Sequence, residues 1–148
     1  MTPAAAPDSD VLLTAALRGR GQRVTSQRVV IHRALLELGR HASAEQVLEL
    51  VRERLPGISL PTVYATLDLF GELGLARRIT AAGAPVLYDP RRDSHHHLLC
   101  RRCGQVEDIE ASVDVSAAIA AARRQGSAPD GAELVLSGLC ADCAGKAA

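Results

Sequence analysis

Two cysteine pairs, Cys100-x-x-Cys103 and Cys140-x-x-Cys143, hold all four cysteines of this 148-residue chain. A C-x-x-C pair can grip one ion through two thiolates. A second pair completes a tetrahedron of sulfur donors, the coordination of closed structural zinc sites. Two disulfides or a thioredoxin-like redox pair are the alternative uses of the same residues. Against them, no charged-then-apolar leader opens the chain toward an oxidising compartment, and no Trp-Cys or Pro flanks the pairs in redox style. The spacing therefore predicts a zinc site made by Cys100, Cys103, Cys140 and Cys143. Three histidines, His95, His96 and His97, stand just before the first pair.

Charge and aromatic content bound what the rest can do. Residues 1–85 hold 10 Arg against 8 Asp or Glu, a net +2, while the remainder holds 7 basic and 9 acidic groups, a net −2. This split hints at a basic reading half and an acidic metal-binding half. Tyr64, Phe70 and Tyr88 are the only aromatic side chains, too few for a base-stacking platform of the single-stranded kind. No apolar run reaches the length of a membrane span, so the expectation is a cytoplasmic protein without a membrane partner.

Local signals then order the first half. Asp8, Ser9 or Asp10 can cap a helix carrying Val11, Leu12, Ala15, Ala16 and Leu17, stopped at Gly19-Arg20-Gly21. Thr25 caps a second helix, with Val29, Ile31, Ala34, Leu35 and Leu38 inward and Gly39 at its end. Ser43 opens a third helix, with Gln46 completing a capping box and Val47, Leu50 and Val51 inward. Ser59 caps a fourth, which tolerates Pro61 in its first turn and buries Val63, Leu67 and Phe70. Two extended pieces, Leu75 to Ile79 and Pro85 to Tyr88, flank Ala81-Ala82-Gly83-Ala84 and read as a hairpin. Helix, turn, helix, then hairpin is a winged helix-turn-helix, whose second helix enters the DNA major groove.

Beyond a Pro-containing charged stretch, His97 to Arg101, Val106 to Ile109 and Glu133 to Leu139 read as strands, with a helix from about Val113 to Arg124. The expected fold class is α+β: a winged-helix DNA-binding domain over 1–88, a hinge over 89–94, and a small α/β domain over 95–148. Some sixty residues is near the lower limit for independent folding, so a zinc staple and a second subunit would both help. Along a strand, residues two apart share a side, so His95 and His97 converge while His96 turns away toward solvent.

The string His95-x-His97-x-x-Cys100-x-x-Cys103-Gly104 resembles the signature of the ferric uptake regulator (Fur) superfamily. Thr62-Val63-Tyr64, Arg23-Val24-Thr25-x-x-Arg28 and Cys140-x-x-Cys143 match in the same order, so the likeness runs from about residue 10 to 143. It implies a dimeric, metal-dependent repressor, with a winged helix first, a dimerisation domain second and a sensory metal at the hinge. It also implies a regulatory ligand set. Peroxide-sensing members, the PerR branch, use three His and two Asp, and His41, Asp89, His95, His97 and Asp108 fall at those places. Iron-uptake members usually carry Glu at the two Asp positions, and zinc-uptake members a Cys near Asp89. The additional metal site of some relatives needs a His where this chain has Ala132, and is expected to be absent.

Three imidazoles and two carboxylates suit Fe(II) or Mn(II), whereas four thiolates suit zinc. The resemblance tips Tyr64 toward an apolar contact with thymine methyl groups in the major groove. Thr62 is the candidate phosphate ligand at the same helix N-terminus, and Arg18, Arg20, Arg23 and Arg28 the candidate phosphate and minor-groove contacts. Ala65 and Asp68 depart from the usual reading helix, so the operator is expected to differ while a palindrome remains. The expected partners are double-stranded DNA and a second copy of the chain. The expected action is repression relieved when peroxide and bound iron oxidise His41 or His95. The alternative is an iron- or manganese-responsive uptake repressor without peroxide chemistry. A catalytic non-haem iron centre would need a nucleophile or substrate cavity that the sequence does not suggest, so no enzyme activity is expected.

Overall fold

A computed structural model describes residues 7–80, 83–91, 93 and 95–146; Pro7 is described in its backbone only. The chain divides into two compact units, Met1–Arg92 and Asp93–Ala148. The first carries four helices, α1 (Pro7–Gly19), α2 (Ser26–Leu38), α3 (Ala44–Val51) and α4 (Leu60–Glu72), then strands β1 (Arg77–Ile79) and β2 (Leu87–Asp89). β1 and β2 are antiparallel, with Arg78 opposite Tyr88. Ala81 and Ala82 of the expected turn lie outside the described residues, as do Arg92 and Ser94 of the expected hinge.

Side-chain caps set the helix starts. Thr25 Oγ1 accepts from the Arg28 amide at 3.3 Å, and Ser43 and Gln46 close a reciprocal capping box. Gly39 ends α2 in the left-handed region at φ 64°, where a Cβ would be strained. The core joins Leu13, Leu17, Ile31, Leu35, Val47, Val51, Val63, Leu67, Phe70 and Tyr88. The first helix corrects the sequence reading: Val11 is 67% exposed and Leu12 45%, while Leu13 and Leu17 are fully buried. The i, i+4 pair that meets α2 thus begins at Leu13, not Val11.

Charged contacts refine this unit. Arg33 on α2 binds Asp10 on α1 through a two-point guanidinium–carboxylate contact. Beside it, His32 is buried, its ring edge meets Phe70 at 5.4 Å, and its Nδ1 has no hydrogen-bond partner among the described residues. Burial lowers its pKa, with Asp10 opposing weakly. The unfolded chain therefore takes up this proton as pH falls below about 6.5 before the native state does, so native stability declines with acid there. Replacing His32 by leucine is expected to flatten this unit's thermal stability between pH 7.5 and 5.5. Melting curves of both proteins check it, and an unchanged pH slope would contradict it.

The second unit holds β3 (His96–Cys100), β4 (Val106–Ile109), α5 (Ser116–Arg124), β5 (Val135–Gly138) and a short helix α6 (Ala141–Gly145). The strand order is β4-β3-β5, with β3 antiparallel to β4 and parallel to β5. The sequence reading lacked α6, which is a single turn begun by Cys140. α5 buries none of its residues in this one chain, and Leu134 and Leu136 near the β5 edge are 37% and 40% exposed.

Candidate functional site

The cysteines meet because of the sheet. β3 ends at Cys100, a turn with Gly104 at φ 75° brings Cys103 back, and the Gly104 amide donates to the Cys100 carbonyl at 2.9 Å. Parallel pairing puts Gly138 beside Cys100, so Cys140 follows directly and Cys143 lies one turn on in α6. The four sulfurs lie within 4.8 Å of one another, and Cys103 and Cys140 are 3.8 Å apart. A tetrahedron with metal–sulfur bonds of about 2.3 Å has edges of about 3.8 Å. A disulfide needs about 2.05 Å, and all four cysteines are free. The backbone amides of Cys103 and Cys140 lower Cys100 to about 6. Cys143 is pushed up to about 12 by its hydrogen bond with Cys140 and by burial. A divalent cation fits this cluster because it would favour the thiolate at every position.

Sheet register also gathers the N and O donors of the second unit. His97 stands opposite Asp108 in the β3–β4 pair. Asp108 Oδ1 is 3.5 Å from His95 Nε2 and 3.6 Å from His97 Nε2, and the two rings lie 4.5 Å apart. His95 Nδ1 is 2.9 Å from the Asp93 carbonyl, which leaves Nε2 as the ring's lone-pair donor. The first unit offers a second such pair. Ala42 and Tyr88 exchange backbone hydrogen bonds of 2.9 and 2.8 Å, and this isolated bridge sets His41 beside Asp89. His41 Nε2 lies 3.1 Å from Asp89 Oδ2, and Asp89 is fully buried. Neighbouring donors on an ion with bonds of about 2.1 Å are about 3 Å apart, so each group is near the spacing a small hard cation requires.

His96 departs from the sequence reading. It is 8% exposed rather than solvated, and its Nδ1 accepts from the Leu134 amide at 3.1 Å. Glu133 had no sequence signal, since a carboxylate at the start of a strand is ordinary; its Oε1 lies 2.8 Å from His97 Nδ1.

Of the residues expected at DNA, Arg23, Arg28 and Thr62 line one groove of about 610 Å³ between the starts of α2 and α4, with Gln22 and Pro61. Arg28 donates to the Arg23 carbonyl and to Gln22 Oε1, so its guanidinium is held at this rim. Ser59 Oγ accepts from the Thr62 amide and lies 2.9 Å from its hydroxyl. Arg18 and Arg20 are exposed but outside the groove. Tyr64 is half-buried, and its hydroxyl donates to Glu45 on α3 at 3.0 Å. Asp68 accepts from the Tyr88 hydroxyl at 2.8 Å and lies 3.8 Å from Arg78, so its charge is engaged by the hairpin.

No helix among the described residues is long and apolar enough to cross a membrane. Residues 19–133 match the Ferric uptake regulator family. The transcriptional regulator FurA of Mycobacterium tuberculosis is 36% identical over 128 residues, 86% of each chain. The peroxide-responsive repressor PerR of Staphylococcus epidermidis is 31% identical over 95 residues, covering 64% of this chain and 63% of that protein. Among solved structures, a zinc uptake regulator complexed with zinc and DNA is 26% identical with a TM-score of 0.67, covering 95% of this chain and 97% of that one. The chain belongs to the ferric uptake regulator family and is a transcriptional regulator, not an enzyme.

Proposed function

We propose that the chain is a metal-dependent repressor that senses hydrogen peroxide through oxidation of a ligand histidine. The observation that carries this reading is the segregation of donors. Four sulfurs form one cluster, while His95, His97 and Asp108 form another with nitrogen and oxygen alone. Thiolates retain zinc, and imidazole with carboxylate accepts an exchangeable, redox-active metal such as Fe(II). In this reading His41 and Asp89 complete the set from the first unit, residues 89–94 act as the hinge, and the domains run over 1–88 and 95–148. A metal shared in this way favours one arrangement of the domains, which is the differential stabilisation that switching requires. The same reading makes the protein a homodimer on a palindromic operator, with Tyr64 at thymine methyl groups in the major groove, Thr62 at a phosphate, and Arg18, Arg20, Arg23 and Arg28 at phosphates and the minor groove.

When bound at these residues, Fe(II) would activate peroxide by a one-electron step that the ring's own oxidation reverses, so the imidazole is the net two-electron reductant; Mn(II) does not readily do this. His41 or His95 receives one oxygen at a ring carbon, and the other oxygen of the peroxide leaves as water. The oxidised ring is a poor donor, so the carboxylates lose a co-ligand and the DNA-binding arrangement relaxes. Asp at positions 89 and 108, where iron-uptake regulators usually carry Glu, supports this branch.

The test loads the protein anaerobically with Fe(II) or Mn(II) and applies brief low-dose peroxide. Peptide mass spectrometry of His41 and His95 is then read beside operator binding. The expected result is one added oxygen with iron only, together with lost DNA binding. Unmodified histidines in a protein that still binds DNA would identify a metal-uptake repressor instead.

A further inference from the structure

We infer that Glu133 is a positioning residue for the regulatory metal, acting through His97; this rests on the proposed assignment of His97 as a ligand. Two hydrogen bonds hold the start of the last strand against the ligand strand. The Leu134 carbonyl accepts from the His97 amide at 3.1 Å, and the Leu134 amide donates to His96 Nδ1 at 3.1 Å. Glu133 is thereby fixed with Oε1 2.8 Å from His97 Nδ1, while the other ring nitrogen of His97 faces Asp108 at 3.6 Å. His97 is wholly buried and the Glu133 side chain only 25% exposed, so little water competes for Nδ1.

The chemistry follows from this arrangement. A neutral imidazole has one N–H and one lone pair, and a carboxylate at Nδ1 places the hydrogen there. Nε2 is then left as the donor, turned toward Asp108. The negative charge at Nδ1 also raises the donor strength of Nε2 and holds the ring plane. His95 Nδ1 lies 2.9 Å from the neutral Asp93 carbonyl. The two imidazoles thus differ in the Nδ1 neighbour shown, a carboxylate for His97 and a carbonyl for His95. His96, whose Nδ1 is an acceptor, carries its hydrogen on Nε2 and serves as a strap between β3 and β5.

The experiment uses the full-length, zinc-loaded protein and measures Mn(II) affinity by competition with a chromogenic chelator. Co(II) absorption serves as a reporter of ligand geometry. Glu133→Ala is expected to weaken Mn(II) binding about 10–100-fold, the usual cost of losing an outer-sphere partner. It should also alter the Co(II) spectrum while zinc content and unfolding temperature stay the same. Glu133→Gln keeps an oxygen acceptor and is expected to recover part of the loss. Mn(II) affinity within twofold of wild type in Glu133→Ala would overturn the inference. A loss accompanied by reduced zinc or stability would overturn it too, since that marks a structural role. His97→Ala separates the two levels. If it binds Mn(II) like wild type, the regulatory-site reading itself fails; if it alone loses Mn(II), only the role of Glu133 fails.

Discussion

Cys100→Ser is expected to release zinc and unfold residues 93–148 while the winged-helix unit stays folded. The second unit has almost no apolar core of its own. Its buried cluster is Cys100, Cys140 and Cys143 with Leu139 packed against them, and α5 buries nothing within the single chain. The metal therefore replaces a core. Structural zinc contributes apparent binding free energies of about 10–16 kcal/mol at neutral pH in small zinc domains, and that energy is folding energy. Serine offers a hydroxyl that stays protonated where a thiolate is required, so the remaining three sulfurs would hold zinc far less tightly. Loss of the metal also releases the link from the end of β3 to the start of α6, which no disulfide replaces. The first unit has an independent core around Leu35, Leu67 and Phe70 and should keep its own melting transition. Metal analysis should show zinc falling from one per chain to near none, and amide exchange should show protection lost in β3, β4, α5, β5 and α6 but kept in the first unit. A variant that loses zinc yet keeps protection in β3 would refute a structural role for the metal.

Local chemistry was legible in the sequence wherever the contact partners were close in the chain. Ser43 with Gln46, Thr25 with Arg28, and Ser59 with Thr62 each satisfy helix amides three residues ahead, so the helix starts could be read without tertiary knowledge. The two C-x-x-C pairs were legible for the same reason, each spanning one tight turn. What failed was long-range. Leu13 and Val11 are equally apolar, and only the position of α2 decides which is buried. His96 turned away from His95 and His97 as strand alternation required. Yet its Nδ1 accepts from the Leu134 amide just before β5, and the ring is buried instead of solvated. Glu133 reaches His97 across a parallel pairing that no spacing rule announces. Tyr64, marked for DNA by its motif, also holds Glu45, nineteen residues earlier in the chain.

Asp89→Asn tests the first unit's share in the proposed regulatory centre. Zinc should remain, because Asp89 lies in the other unit from the four cysteines. The fold at this point should also hold. Asparagine keeps the Oδ1 acceptor that receives the Arg91 amide at 2.9 Å, and the Ala42–Tyr88 bridge is made by backbone alone. What the substitution removes is the negative charge 3.1 Å from His41 Nε2, and with it the anionic oxygen a hard cation prefers. A switch that moves a population from about 1% to about 99% in the DNA-binding state needs about 5.5 kcal/mol of differential affinity. Five ligands sharing that equally would supply about 1.1 kcal/mol each, and a charged carboxylate in a buried setting supplies more than an equal share. The expected result is that operator binding needs Mn(II) on the order of a hundredfold higher, about 2.8 kcal/mol at about 1.4 kcal/mol per tenfold and so more than an equal share. By linkage, operator DNA should tighten Mn(II) binding less in the variant than in wild type. A titration of operator affinity against Mn(II) reads both effects. An unshifted curve would mean that the second unit's His95, His97 and Asp108 hold the metal without Asp89, and that the switch does not run through this residue.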